Sequence, residues 1–391
     1  MEEFHFQTYI NLFLTYKMIK KLHIKSNLVI GILAVLSILS YLVVENTMSL
    51  QKLDYFQDKI EASKTTKKAM RIIKNHRLKN VVFIDKINDP NETGIIGQRH
   101  SQITTGSGSL PVKLSTINPN FSGVVVQLLK DAKVKEGDYI AVCMTGSFPA
   151  LDIATLIAIE QLKIKPILIA STTSSSWGAN DPNYTILDMV TTLQKADILK
   201  LTYQYASIGG NQDIGMSLSN KGRELIKQAI ERNHLKLLNK DDLLLNIKER
   251  MRIIDHDRGN NPIKAFINIG GGIASLGSNA NKKKLKAGLS KKIKLKDFPD
   301  KYGVAYEMAV REVPIINLAN VSELMRKFDL PKNPVPLPEI GDGKLYYALR
   351  YNLPIVATAT LFLFFMIGLF VYIDKRNNEL GNDIISTEIE V

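Results

Sequence analysis

Small and polar residues follow four of the strands that the sequence predicts, and they are its best candidates for a ligand site. Main-chain N–H groups in such turns can hold anionic oxygen atoms, and glycine lets the backbone approach a ligand closely. Ligands of parallel α/β sheets bind beyond the carboxyl ends of the strands, so we expect the four loops to meet at one edge. The predicted ligand-binding residues are Thr145, Gly146, Ser147, Ser176, Trp177, Asn180, Asp181, Gly209, Gly210, Asp213, Gly270, Gly271, Gly272 and Ser275.

The first of these loops lies in the stretch AVCMTGSFPALDIATLIAIEQL, which reads as a strand, a Thr-Gly-Ser turn and a helix. Ser147 is a good N-cap and Pro149 suits an early helical turn, so the amides from Gly146 to Phe148 would point at an anion. The alternative is a plain capped helix start. Because the spacing fits neither GxGxxG nor the Walker pattern, we predict no nucleotide and no other cofactor.

The other loops also have two interpretations each. Trp177, the one tryptophan of the chain, could close a pocket or pack its loop on the core. The three glycines from Gly270 to Gly272 could admit a ligand or serve a tight crossover. The coincidence of four such loops favours a site.

Catalysis is the main alternative to simple binding. Ser147 is the candidate nucleophile of a hydrolase or amide-transferring enzyme, but it lacks the G-x-S-x-G elbow and no histidine falls in a strand-end loop. Cys143, the single cysteine, lies in an apolar run and reads as a buried hydrophobe rather than a thiol nucleophile. Six histidines without paired spacing indicate no metal site. The catalytic residue therefore stays unknown.

The elements that would position these loops alternate regularly along residues 119–330. Apolar strand-like runs such as DYIAVCM, KPILIAS and KAFINI are separated by amphipathic helical patterns, one of them capped by Ser219 or Asn220. This alternation predicts an α/β fold with a three-layer, mainly parallel, Rossmann-like sheet. The preceding stretch 93–121 is rich in Gly, Ser, Thr and Pro, and it reads as a long irregular segment with two short strands.

Two uncharged apolar segments, 28–44 and 353–373, are long enough to cross a bilayer. Six Lys and Arg residues lie near these segments on the sides that face the chain termini, and four lie on the sides that face the central region. This distribution predicts both termini in the cytoplasm, a plasma or inner membrane location and an extracytoplasmic α/β domain. Met18 is an alternative start to Met1. The predicted organisation is an N-terminus (1–27), a transmembrane helix (28–44), a membrane-proximal helix and irregular region (45–118), the α/β domain (119–330), a Pro-rich linker (331–352), a second transmembrane helix (353–373) and a cytoplasmic tail (374–391).

The chain is basic, with 51 Lys and Arg against 38 Asp and Glu, a net charge of +13. Eight lysines lie between Lys282 and Lys296. This run is either a solvated lobe or a surface for a polyanion or anionic lipid. Aromatic residues are not interleaved with these lysines, which argues against nucleic acid.

Four strings resemble the poly-gamma-glutamate system protein family: NPNFSGVVVQLLKDAKVKEGDYIAVCMTGSFPALDIATLIAIEQL, SSSWGANDPNYTILDM, SIGGNQDIGMSLSNKGRELI and INIGGGIASLG. The likeness covers about residues 92–338. It implies a membrane-anchored accessory protein of poly-gamma-glutamate synthesis or export, for a capsule or surface polymer, with no assigned reaction. The implied partners are the acidic polymer, other membrane subunits of that system and the lipid bilayer. The second apolar segment is additional to the single N-terminal anchor usual in that family.

Three functions remain open from the sequence. The first is the accessory protein just described, binding a carboxylate at the strand-end loops. The second is an enzyme acting through Ser147 on a gamma-glutamyl or cell-envelope substrate. The third is a scaffold in which the glycines serve only tight turns.

Overall fold

The computed structural model describes residues 27–80 and 84–389, so the predicted N-terminal segment 1–27 lies outside this range except for its last residue. Two units are present, Leu53–Tyr347 and a terminal unit made from both chain ends. The strands are β1 Ser49–Lys52, β2 Tyr139–Thr145, β3 Lys165–Ser171, β4 Asn180–Asp181, β5 Tyr184–Thr185, β6 Tyr205–Ser207, β7 Lys236–Leu238, β8 Ile263–Asn268, β9 Gly288–Ser290, β10 Ile315–Asn317 and β11 Tyr347–Arg350.

The helices lie between and around these strands. They are α1 Asn27–Asn46, α2 Phe56–Lys79, α3 Leu110–Thr116, α4 Phe121–Asp131, α5 Pro149–Gln161, α6 Ile186–Lys195, α7 Asn220–Arg232, α8 Leu243–Arg258, α9 Ile273–Leu276, α10 Asn279–Lys284, α11 Val304–Val310, α12 Val321–Phe328 and α13 Leu353–Ile389. Two short 3-10 turns occupy Asn211–Asp213 and Leu295–Asp297.

The terminal unit contains two apolar helices, α1 and α13, and the paired strands β1 and β11. Judged by length and composition alone, these are the two helices within the described residues that could cross a membrane. Their mean hydropathies are 2.5 and 2.4. The predicted segments 28–44 and 353–373 fall inside them. Helix α13 continues to Ile389, so the stretch predicted as a tail begins as helix.

The larger unit contains a seven-stranded sheet in the order β7-β6-β3-β2-β8-β10-β9. All neighbours are parallel except β9, which runs antiparallel to β10. The chain builds outward from β2 through β3 and β6 to β7, then returns to the other side of β2 with β8. The direction of winding therefore reverses between β2 and β8, where ligands of parallel sheets bind.

Both faces of the central strands are buried. Ile140, Val142 and Met144 of β2 join one core cluster, whereas Ala141 and Cys143 join another. Continuous apolar runs are typical of parallel strands covered on both faces, because neither face meets water. The predicted α/β class and mainly parallel sheet are confirmed.

Three local predictions differ from the structure. The stretch 93–121 contains helix α3 and one isolated bridge, Thr104 to Ser174, instead of two strands. The short strands β7 and β9 are absent from the sequence-based prediction, because three residues are too few to show an apolar periodicity. Phe148, not Ser147, is the N-cap residue of α5, although Pro149 opens that helix as expected. Ser219 caps α7 by accepting the Gly222 amide.

Candidate functional site

A cavity of about 780 Å³ lies at the carboxyl edge of the sheet, between the loops that follow β2, β3, β6 and β8. Of the predicted ligand-binding residues, five line this cavity: Thr145, Ser147, Gly210, Gly271 and Gly272. The segment 105–113 forms a further wall that the sequence did not assign to the site. The parallel topology thus brings the four loops to one edge.

The remaining nine predicted residues do not line the cavity: Gly146, Ser176, Trp177, Asn180, Asp181, Gly209, Asp213, Gly270 and Ser275. Most of them hold the loops in place. The Ser176 and Ser275 hydroxyls donate to the Gly106 carbonyl (3.3 Å) and Asn268 Oδ1 (2.6 Å), respectively.

The loop after β3 is fixed by buried polar contacts rather than by a ligand. The side-chain amide of Asn180 donates through Nδ2 to the Gln98 carbonyl at 2.7 Å and to Thr104 Oγ1 at 2.9 Å. Asp181 pairs with Arg77 at 3.4 Å. Trp177 is half-buried, and its main chain bonds to Gln98. The side chains of Asn180 and Asp181 therefore bind the chain itself, and their contact with a ligand stays a prediction.

Asp213 belongs to a buried ion pair at the same edge. Its Oδ2 lies 2.6 Å from Arg250 Nη1, and both side chains are 2% exposed. The hydroxyls of Ser171 and Ser207 donate to its Oδ1 at 3.2 and 2.9 Å. Asp213 thus ties β3, β6 and α8 together beneath the cavity, and its contact with a ligand stays a prediction.

The main-chain amides divide into two groups. The Gly146 amide donates to the Ser171 carbonyl at 3.1 Å and the Phe148 amide to the Thr145 carbonyl at 3.4 Å, so neither points at an anion as predicted. The Ser147, Gly271 and Gly272 amides have no acceptor within residues 27–80 and 84–389. Free main-chain donors therefore lie on both the β2 side and the β8 side of the cavity.

Thr145 presents a hydroxyl without a partner. It is 6% exposed and lines the cavity, yet its Oγ1 makes no hydrogen bond within the described chain. A buried polar group without a partner is unfavourable, and such groups in native structures are commonly satisfied by a ligand or water. Gly270, at φ 82°, approaches this oxygen so closely that a Cβ there would lie 2.2 Å from it. The glycine is therefore needed for this close packing.

Lys113 of α3 reaches the cavity from the stretch 93–121, which the sequence predicts to be irregular. Its ammonium group donates to the Ser147 carbonyl oxygen and lies 2.9 Å from Ser175 Oγ. Its Nζ sits 4.1 Å from the centre of the Phe148 ring. Burial lowers the pKa of Lys113 to about 7, with a smaller upward effect from Asp152 and a downward one from Lys282.

Asp152 lies behind this lysine on α5. Its side chain is fully buried, and neither carboxyl oxygen has a hydrogen-bond partner in the described part of the chain. Burial raises the pKa of Asp152 well above its usual range, and the positive charge of Lys113 lowers it by less. Desolvation is thus the larger of the two effects on Asp152, and it favours the protonated form of the carboxyl group.

Lys282, on α10, supplies the second cationic group. It is exposed to solvent and lines the cavity, and a Cβ on Gly271 would lie 2.8 Å from its Nζ. The ammonium group therefore rests against the glycine backbone whose amides are free.

Cys143 and the histidines of the described residues do not line this cavity. Cys143 is 4% exposed, and burial raises the pKa of its thiol to about 11, as expected for a core residue. His256 is an exposed residue of α8, 2.8 Å from Asp257. Among the described residues, no three His, Cys, Asp or Glu side chains gather as a set that could hold a metal ion.

Comparison of the chain with protein-family models, curated proteins and solved structures finds no match. The resemblance to the poly-gamma-glutamate system protein family therefore stays a prediction. The function has to be argued from the chemistry of the cavity.

Proposed function

We propose that this chain is a membrane-anchored accessory protein of the synthesis or export of an acidic surface polymer of the poly-gamma-glutamate type. Its cavity binds a carboxylate of that polymer. The observation that carries the proposal is the charge of the cavity wall. Of the described residues that line it, two carry ionisable side chains, Lys113 and Lys282, and neither is acidic.

The groups around Lys282 suit a carboxylate. The ammonium group offers charge-assisted hydrogen bonds, and the Gly271 and Gly272 amides and the Thr145 hydroxyl offer neutral donors beside it. A carboxylate accepts several such bonds at once, and each one to an ionised group is worth about 1.5–3 kcal/mol. The walls are otherwise glycine, serine, threonine and asparagine with few apolar side chains, which favours a polar ligand over a lipid tail.

A second cavity, of about 660 Å³, is also lined by lysines, and they are close in sequence to Lys282. Lys284, Lys286, Lys292 and Lys296 line it, with Asp297 as an acidic neighbour. A polymer that carries a negative charge on every unit would be attracted along this series of lysines, and salt would screen the attraction.

The location and finer fold belong to the same proposal. We infer a three-layer, Rossmann-like arrangement, supported by the reversal of winding between β2 and β8 and by the burial of both strand faces. We also propose that α1 and α13 anchor the chain in the plasma or inner membrane, with residues 53–347 outside the cytoplasm. The distribution of flanking Lys and Arg supports this orientation.

We expect Lys282→Glu to weaken binding of a short gamma-linked glutamate oligomer by about tenfold or more, since it replaces attraction with repulsion at the free amides. The measurement is calorimetry on the full chain in zwitterionic detergent. Lys283→Glu is the matched control, because it makes the same charge change one residue away, on an exposed side chain that lines neither cavity. Equal effects of the two variants would contradict a specific carboxylate site.

We expect cells that lack this gene to carry less surface polymer, or polymer of altered length. The readout is the amount and size of polymer released from the cell surface, with the wild-type gene restored as the control. Normal polymer in normal amount would refute the proposed role, whatever the purified protein binds.

A further inference from the structure

Lys113 and Ser175 form a close pair at the wall of the first cavity. Lys113 is 2% exposed, and its Nζ lies 2.9 Å from Ser175 Oγ. Ser175 is half-buried and lines the cavity, so its hydroxyl can meet a ligand there. A lysine so placed can take the proton of a serine hydroxyl, as in the Ser-Lys variants of nucleophilic catalysis.

The chain holds this pair in a fixed geometry. The Ser175 amide donates to Ser147 Oγ at 3.1 Å, and the Ser147 carbonyl accepts from the Lys113 amine. A Cβ on Gly108 would lie 3.1 Å from Ser175 Oγ and 3.2 Å from Lys113 Cε, so the glycine lets the loop pass directly over both groups. These contacts come from three separate segments, and together they fix the relative position of the amine and the hydroxyl.

Burial and the nearby Lys282 disfavour the charged form of Lys113. The groups that face Lys113 are Asp152 from α5, the ring of Phe148 just before that helix, and Lys282 from α10. Burial lowers the pKa of Lys113 to about 7, and burial also raises the pKa of Asp152. A general base is most effective when its pKa lies near the working pH.

We propose that Ser175 and Lys113 form a catalytic dyad that transfers or hydrolyses an acyl group of an amide or ester bearing a carboxylate. This activity goes beyond polymer binding, and it rests on the proposed function only for the carboxylate of the substrate. It makes the chain an enzyme with Ser175 as the nucleophile. Ser147, the candidate from sequence, has its hydroxyl engaged by the Ser175 amide, and it offers Lys113 its carbonyl rather than its hydroxyl.

The steps balance without a further reactant. Ser175 Oγ attacks the carbonyl carbon while its proton passes to Lys113 Nζ, and the carbonyl electron pair moves to oxygen. The tetrahedral intermediate collapses, the C–N or C–O bond breaks, and Lys113 returns the proton to the leaving amine or alcohol. Water, or an acceptor amine, then attacks the ester on Ser175, giving its proton to Lys113, which passes it back to Ser175 Oγ as the acyl group leaves.

The test uses a fluorophosphonate probe on the full chain in detergent, with mass spectrometry of the labelled peptide. Ser175 attacks phosphorus and displaces fluoride, so no natural substrate is needed. We expect labelling at Ser175, none in Ser175→Ala, and at least about 100-fold slower labelling in Lys113→Met, the typical contribution of a positioned base. The wild-type rate should rise as pH rises through about 7, where Lys113 loses its proton.

The controls separate chemistry from folding. Ser217→Ala and Lys227→Met make the same changes at exposed positions and should label at the wild-type rate. Trp177 fluorescence reports whether each variant is folded. Absence of labelling in folded wild-type protein at pH 8, labelling at another serine, or an unchanged rate in folded Lys113→Met would overturn the dyad. These outcomes are independent of carboxylate binding, which the comparison of Lys282→Glu with Lys283→Glu measures separately.

Discussion

Replacing Asp213 by alanine is expected to lower the free energy of unfolding by about 3–5 kcal/mol, because it leaves the Arg250 guanidinium buried without its partner. The two side chains are each 2% exposed and meet at 2.6 Å. Arg250 would keep a hydrogen bond to Ser207 Oγ at 2.8 Å, which does not neutralise its charge. The loss should therefore be among the largest of any single substitution in the larger unit.

The measurement is urea unfolding of the full chain in mild detergent, followed by the fluorescence of Trp177. Asp197→Ala is the matched control, since Asp197 is exposed and shares the left-handed backbone of Asp213, with φ values of 54° and 64°. The double variant Asp213→Ala with Arg250→Met should recover part of the stability, because no unpaired charge remains. A loss no greater than that of Asp197→Ala, or no recovery in the double variant, would show that the ion pair is not the cause.

This ion pair also matters for the site. The Asp213 carboxylate accepts a hydrogen bond from Ser171, which lines the cavity, and Arg250 comes from α8. Without it, the ends of β3 and β6 lose their common anchor. We infer that buried polar contacts, rather than apolar packing, set the positions of the loops around the cavity.

The sequence predicted the elements that depend on local pattern. The strands β2, β3 and β8 are apolar runs long enough to identify, and α7 begins at the predicted Ser219 cap. The convergence of four loops followed from parallel topology alone, since carboxyl ends of parallel strands share an edge. These features are encoded within a few neighbouring residues or in a general rule of chain topology.

The sequence could not predict contacts that join distant segments. Lys113 lies in a polar stretch where a lysine is normally solvated, and only the packing of α3 against the loops after β2 and β3 buries it. Asn180 and Asp181 were assigned to a ligand because their partners, Gln98 and Arg77, lie 82 and 104 residues away. One local signal could have indicated that segment 105–113 lines the cavity. It is the Gly-Ser-Gly-Ser run at residues 106–109, which is typical of a loop that approaches a ligand closely.

Lys113→Met is expected to raise the free energy of unfolding by about 2 kcal/mol at pH 6, although it removes polar contacts. The pKa of this lysine falls from 10.5 to about 7 on folding. A difference of that size corresponds to roughly 5 kcal/mol of penalty when the folded state must hold the charged form. The loss of the hydrogen bond to the Ser147 carbonyl offsets about 1–3 kcal/mol of the gain.

The sign of the pH dependence follows from proton binding in the two states. Below pH 7 both states hold the proton and the penalty is fully present. Between pH 7 and 10.5 the unfolded state binds more protons, so the stability of the wild-type protein rises with pH. The gain from Lys113→Met should therefore shrink by about 1.4 kcal/mol per pH unit above 7, vanish at roughly pH 8.5 and become a loss at higher pH, where only the missing hydrogen bond remains. Lys227→Met, at an exposed lysine, should show no such trend.

Two measurements on Lys113→Met, its free energy of unfolding at pH 6 and its rate of labelling at Ser175, together decide what Lys113 does. A buried amine that lowers stability and yet speeds acylation of Ser175 is held there for its chemistry, because packing alone would favour an apolar side chain of similar length. If Lys113→Met instead lost stability at pH 6, the folded state would stabilise the ammonium form rather than penalise it, through an ionised Asp152. Lys113 would then be a structural cation with no lowered pKa, and a neutral base for Ser175 would not exist near neutral pH.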